Sequence, residues 1–199
     1  MNKKHKNQKF QQLVTTAYNL FMRFGIHRVS IEEICSEANV SKMTFYKYFR
    51  NKIELTKYLL NQIFSEQMNK YRKIMAQQVS FPEKVKQIIQ LKQEQTDMMS
   101  QEFFNDLFRN PNPEIVELVE KMRQESFNEV LNDLKKAREN RDIRQNLKPE
   151  FILYFLNHMT EMVKDENLLK LYNSPNELIM ELTSFFFYGI LTPEEYKEV

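Results

Sequence analysis

The chain has 199 residues, enough for one domain with a sizeable core or for a small domain joined to a larger one. Two glycines, no tryptophan and many Leu, Lys, Glu and Gln point to an all-helical protein, and the single cysteine, Cys35, excludes an intramolecular disulfide. Net charge is +2, yet residues 1–52 carry ten Lys/Arg against three Glu, which makes +7 there and −5 over the remainder. Such an asymmetry suits a chain that docks one end on a polyanion.

No run of about 18 apolar residues occurs, so no transmembrane span is expected. The basic opening MNKKHKNQKF leads into no apolar stretch of the kind a signal peptide needs, and a cytoplasmic protein is expected. Residues 1–8 read as a mobile arm. Its Lys3, Lys4 and Lys6, with Lys9, either reach a groove or neighbouring phosphates or are simply solvated.

From Lys9 to Phe24 the apolar residues Phe10, Leu13, Val14, Ala17, Leu20, Phe21 and Phe24 repeat at helical spacing, and Gly25 supplies the stop. Ser30 then caps a helix from Ile31, with Glu33 completing a capping box. Ile31, Ile34, Cys35 and Ala38 form its apolar face, so Cys35 reads as a small buried hydrophobe. Asn39-Val40-Ser41 makes a turn. Asn tolerates the left-handed conformation, and Ser41 caps a second short helix, Lys42 to about Phe49. Phe45 and Phe49 lie on one face, while hydroxyls, aromatics and cations cover the rest. That composition suits a phosphate backbone and the groove beside it; a plain helical corner with a solvated polar face is the alternative.

Ser30, the turn Ala38-Asn39-Val40-Ser41, the run Thr44-Phe45-Tyr46-Lys47-Tyr48-Phe49 and the following Asn51-Lys52 resemble the DNA-binding signature of the tetracycline-repressor (TetR) family, and Phe24-Gly25 stands at the family's spacing. The similarity covers about residues 10–56. The chain departs from the family pattern at Asn39, where Gly is usual, and at Lys47, where His is frequent. The second departure leaves the operator sequence open. The resemblance implies an all-α fold with an N-terminal three-helix helix-turn-helix head (residues 1–51) and a larger C-terminal helical ligand-binding and dimerisation bundle (residues 52–199), about nine helices in all. Tyr46, Thr44, Tyr48 and Lys52, with Ser30, are the expected phosphate contacts. Lys42, Met43 and Lys47 are the candidates for base edges.

Lys52 opens a rod expected to run to about Val79, roughly 40 Å at 1.5 Å per residue. Pro82 marks the next helix, to about Met98, and Ser100 caps a short one holding Phe103, Phe104, Leu107 and Phe108. Asn112-Pro113 starts a helix to about Asn140. Lys148-Pro149 starts one to about Leu171, and Ser174-Pro175 another to Tyr188, stopped by Gly189. Thr192-Pro193 begins a last turn. The helices over residues 149–171 and 175–188 are apolar on more than one face, which a two-fold homodimer on a palindromic double-stranded DNA site would bury.

An aromatic and methionine-rich set reads either as plain core or as the wall of a cavity for a small, largely apolar effector. Its members on the first half of the body are Phe64, Leu91, Gln95, Met98, Phe103, Phe104 and Phe108. Met122, Phe127, Tyr154 and His158 follow. No cofactor or metal is expected, since His5, His27 and His158 are far apart and no Glu-x-x-His pair or glycine-rich phosphate loop occurs. Two rival classes remain. An enzyme lacks a constellation, and a helical adaptor has no use for the basic head.

Overall fold

The computed structural model describes residues 3–109 and 111–192, with side chains from residue 8 onwards. The turn expected at Pro193 lies outside the described residues. Among the described residues there are ten α-helices: α1 (Lys3–Phe24), α2 (Ile31–Glu37), α3 (Lys42–Tyr46), α4 (Lys52–Met75), α5 (Phe81–Asp97), α6 (Gln101–Phe108), α7 (Pro113–Glu139), α8 (Pro149–Met162), α9 (Glu166–Leu169) and α10 (Pro175–Ile190). None is long and apolar enough to cross a membrane.

The chain divides into two compact units. Residues 1–65 and 98–120 form one; residues 66–97 and 121–199 form the other. In the first, α1 packs on α2 and α6, and α2 packs on α3. Leu13, Ala17, Val29, Ile34, Phe45 and Leu55 are sealed at its centre. Six side chains of this size, at about 1.5–3 kcal/mol for each large one, hold three short elements that would be marginal alone. In the second unit α10 packs along α5. Phe81 and Val85 join Leu134, Ile143, Ile152, Leu156, Phe186 and Ile190 in its core.

Serine caps define the starts. The Oγ atoms of Ser30, Ser41, Ser100 and Ser174 each accept the backbone N–H three residues on, at 3.1, 3.1, 3.1 and 3.3 Å. The box at Ser30 is only half made, because the Glu33 carboxylate turns toward Arg28, 3.7 Å away. Asn39 adopts φ 51°, and Val40 donates back to the Cys35 carbonyl at 2.9 Å, the hydrogen-bonded stop of a left-handed cap.

Five boundaries differ from the sequence reading. Helix α1 begins at Lys3, so the expected arm is helical from that residue on; its Lys and Gln residues are good helix formers. Helix α3 ends at Tyr46 and α4 at Met75, each earlier than the apolar pattern suggests. The helix expected to run to Leu171 stops at Met162, because Asp165 turns extended and caps α9 through the N–H groups of Asn167 and Leu168. Gly189 does not end α10. That helix continues to Ile190, where Leu191 turns extended and bridges Ile143.

Candidate nucleic-acid interface

Helix α3 is anchored by one residue and presents the rest. Phe45 is fully buried and meets the Phe49 ring, 5.9 Å between centroids. Met43 is 70% exposed and Tyr46 is 56% exposed, unusual for side chains of their size and grouped on one short helix. Lys47 is exposed beside them and has no carboxylate partner among the described residues. These three form the outward face.

The remaining expected contacts are partly engaged within the protein. Thr44 is half-buried with its hydroxyl 3.0 Å from Ser41 Oγ. Tyr48 packs edge-on against Phe10, 5.1 Å between centroids. Ser30 uses its oxygen as a cap and keeps its O–H proton to donate. Lys42 pairs with Glu32 on α2. That hydrogen bond raises the lysine's pKa and lowers the carboxylate's. Sequence spacing did not expose this pair, because the two residues meet only once the turn folds α2 against α3.

Lys52 occupies a different place from the one expected. Its Nζ donates to the carbonyls of Ile26 at 2.7 Å, His27 at 3.1 Å and Val29 at 2.8 Å. An ammonium has three protons, so all are engaged. Lys52 is therefore a clamp that gathers the loop between α1 and α2. Burial pulls its pKa below the ordinary lysine value, and the charge of Asp106 opposes that shift. Asn51 caps α4 by accepting from the Glu54 N–H at 2.8 Å.

The same loop is held from α6. Asp106 accepts the His27 backbone N–H at 2.9 Å and lies 2.6 Å from the His27 ring nitrogen. Gly25 makes the approach possible. Its φ is 82°, and a Cβ there would fall 2.6 Å from the Asp106 carboxylate. Ser100 N–H closes the joint on the Met22 carbonyl at 3.1 Å.

The sequence profile of the bacterial regulatory proteins, tetR family, matches residues 13–59, from the middle of α1 through the first turns of α4. Over that stretch the chain carries the family's DNA-binding segment, the one whose residues the sequence resembles. The transposon Tn10 TetC protein of Escherichia coli is 39% identical over 71 residues, 34% of this chain and 34% of that protein. The chain thus matches only about a third of the length of this curated relative. Likeness of fold reaches further. A TetR-family transcriptional regulator from Streptomyces coelicolor, SCO4454, superposes with a TM-score of 0.69 over 92% of this chain and 96% of its own, at 18% identity. The regulator FadR from Bacillus subtilis, solved in complex with stearoyl-CoA, gives 0.66 over 91% and 99%, at 14% identity.

The residues expected to line an effector cavity are divided between the units. Phe64, Met98, Phe103, Phe104 and Phe108 lie in the first; Leu91, Gln95, Met122, Phe127, Tyr154 and His158 lie in the second. Phe103 borders a cavity of about 10 Å³ with Tyr18, Met22, Thr56 and Leu60, room for a single water and no more. Phe104 is fully buried against Phe108, and Met98 is 48% exposed, its sulfur accepting from the Tyr18 hydroxyl. Tyr154 is 62% exposed and stacks on exposed His158, 3.9 Å between centroids. Both stand on an outer face of α8 in the second unit.

Proposed function

We propose that this regulator is a ligand-responsive repressor that binds a palindromic operator as a homodimer in the cytoplasm and is released by a small, largely apolar effector. Residues 1–51 form the DNA-binding domain in this reading, and residues 52–199 the ligand-binding and dimerisation domain. The observation that carries it is the outward face of α3. Met43, Tyr46 and Lys47 are displayed on a capped helix whose fourth residue, Phe45, is locked in the core. A displayed aromatic, thioether and cation have no use in a solvated corner but fit a major groove.

Met43, Lys47 and Lys42 are assigned to base edges, and Lys42 must leave Glu32 to serve. Thr44, Tyr46, Tyr48 and Ser30 are assigned to phosphates. Lys52 contributes by shaping the loop that precedes α2. The Lys52 clamp ties the loop of the head to α4 and the Asp106 bond ties it to α6, so an effector that favours one position of these helices biases the head's angle. Leu91, Gln95, Met122 and Phe127 remain the assigned lining in the second unit.

Dimerisation is supported by uncovered aromatics on α8 and α10. Phe151, Tyr154, Phe185 and Tyr188 are 54, 62, 70 and 53% exposed within the second unit. Phe155 lies behind them, between Phe185 at 6.5 Å and Phe186 at 5.9 Å. A contiguous aromatic patch of this kind marks an interface.

Selection of bound sites from random DNA tests the reading. A two-fold symmetric motif with half-sites about one helical turn apart is expected, with affinity falling by a log–log salt slope of about −0.9 per phosphate neutralised. Phe185→Glu should yield monomers in sedimentation and lose the motif. No affinity for DNA at low salt would overturn the proposal in favour of a helical adaptor.

A further inference from the structure

The outward face of α3 has an apolar centre. Successive residues of a helix are about 100° apart, so Met43 stands roughly 200° from Phe45, the side chain that anchors α3. Phe45 is fully buried and Met43 is 70% exposed, as that angle requires. Tyr46 and Lys47, three and four residues on, flank Met43 on either side at about 60° and about 40°. Lys47 closes the helix with φ −74° and ψ −23°, so the turn runs through it.

The polar side chains beside Met43 are engaged within the head. Lys42 pairs with Glu32, and the Thr44 hydroxyl lies 3.0 Å from Ser41 Oγ. Ser41 Oγ also accepts the Thr44 N–H at 3.1 Å, which fixes the start of the helix. The first turn of α3 therefore displays a thioether on a rigid backbone. Its sulfur is a weak acceptor, and the side chain has no donor.

Single apolar side chains are common on protein surfaces. Met43 is not single: with Tyr46 it makes two large exposed side chains among the five residues of α3. The pair lies within residues 1–52, the segment that carries +7. That charge favours a polyanion on this face over a second apolar protein surface.

Along the major groove every base pair offers hydrogen-bonding groups, and the one apolar group is the 5-methyl of thymine. A thioether set against donors and acceptors displaces their water and returns little. Set against the methyl, it buries apolar surface on both sides. We infer that Met43 selects a 5-methylpyrimidine in each half-site, its thioether packed on the C5-methyl with Tyr46 on a phosphate and Lys47 on an adjoining base. The inference rests on the reading of α3 as the DNA-reading helix, and it names the base group that helix recognises. Cytosine methylated at C5 presents the same group in the same place and substitutes for thymine there.

The test uses the full-length protein and the site selected from random DNA. Each thymine of that site is replaced in turn by uracil, which keeps the donors and acceptors of the base pair and removes only the methyl. At one position per half-site, uracil should weaken binding about fourfold, the worth of one buried methyl, and about fifteenfold with both half-sites changed. With cytosine at that position, 5-methylation should tighten binding by a similar factor. Met43→Ala, too short to reach, should lose both responses, and Met43→Leu should keep them. The Tm of each variant should match that of the native chain, because the side chain is exposed. A selected motif without thymine, thymines that uracil replaces without loss, or losses that all persist in folded Met43→Ala would each overturn the inference and leave DNA recognition standing. Absence of binding to any duplex at low salt would instead remove the reading beneath it, and the inference with it.

Discussion

The His27 ring nitrogen lies 2.6 Å from one oxygen of Asp106, and the His27 backbone N–H donates to the other oxygen at 2.9 Å. One carboxylate on α6 therefore holds both the side chain and the main chain of the loop that leads into the helix-turn-helix. Asp106 is largely buried and His27 half exposed, so the bond is worth more than a surface pair and less than a sealed one. Asp106→Ala should lower stability by about 1–3 kcal/mol, seen as a lower urea midpoint at unchanged slope. A midpoint within error of the native chain would show that the contact holds nothing.

Lys52 and Lys47 should separate cleanly in a salt titration. Lys47→Ala removes an exposed cation at the end of α3, one with no carboxylate partner among the described residues, and should reduce the log–log slope of DNA binding by about one per head. Lys52→Met releases three carbonyls and should lower stability and overall affinity with the slope unchanged. A reduced slope for Lys52→Met would return that residue to the phosphates.

Glu32 competes with DNA for Lys42. Glu32→Gln should tighten binding to random and selected sites alike, since the lysine no longer has to break an ion pair. Lys42→Ala should alter base preference at one position by about 1–3 kcal/mol. Equal losses on selected and random DNA would make Lys42 a phosphate contact.

Tyr71 predicts a pH dependence in the second unit. Its hydroxyl donates to Asp133 Oδ2 at 3.2 Å. Burial, with the charges and hydrogen bond of Asp133 and Glu129 behind it, raises its pKa well above 10.0. A raised folded pKa contributes stability that is complete below the unfolded value and is lost as pH climbs through the window above it. Tyr71→Phe should be less stable than the native chain by about 1 kcal/mol at pH 7. Because phenylalanine does not titrate, that gap should close above pH 10.0. A gap that stays constant to pH 11 would contradict the shift.

Much of the fold was legible because this chain writes its helix starts in serine. Ser30, Ser41, Ser100 and Ser174 stand just before apolar periodicity resumes, and each is a cap. Asn39 signals its own left-handed turn. What escaped was set by partners distant in sequence. Nothing local marks Lys52 as a ligand of carbonyls 23 to 26 residues away, and nothing near Glu32 announces Lys42. The break after Met162 was readable in principle, since Asp165 is a good cap, but the apolar run across it masked the signal.

Gly25 carries a consequence of its own. The Asp106 carboxylate occupies the space a methyl group would fill, and the backbone there is already in a conformation other residues resist. Exchange for alanine would strain the chain and wedge the carboxylate off His27 in one stroke. The joint between α1 and α6 is thus kept by a missing atom, and no nearby substitution can restore it once that vacancy is taken.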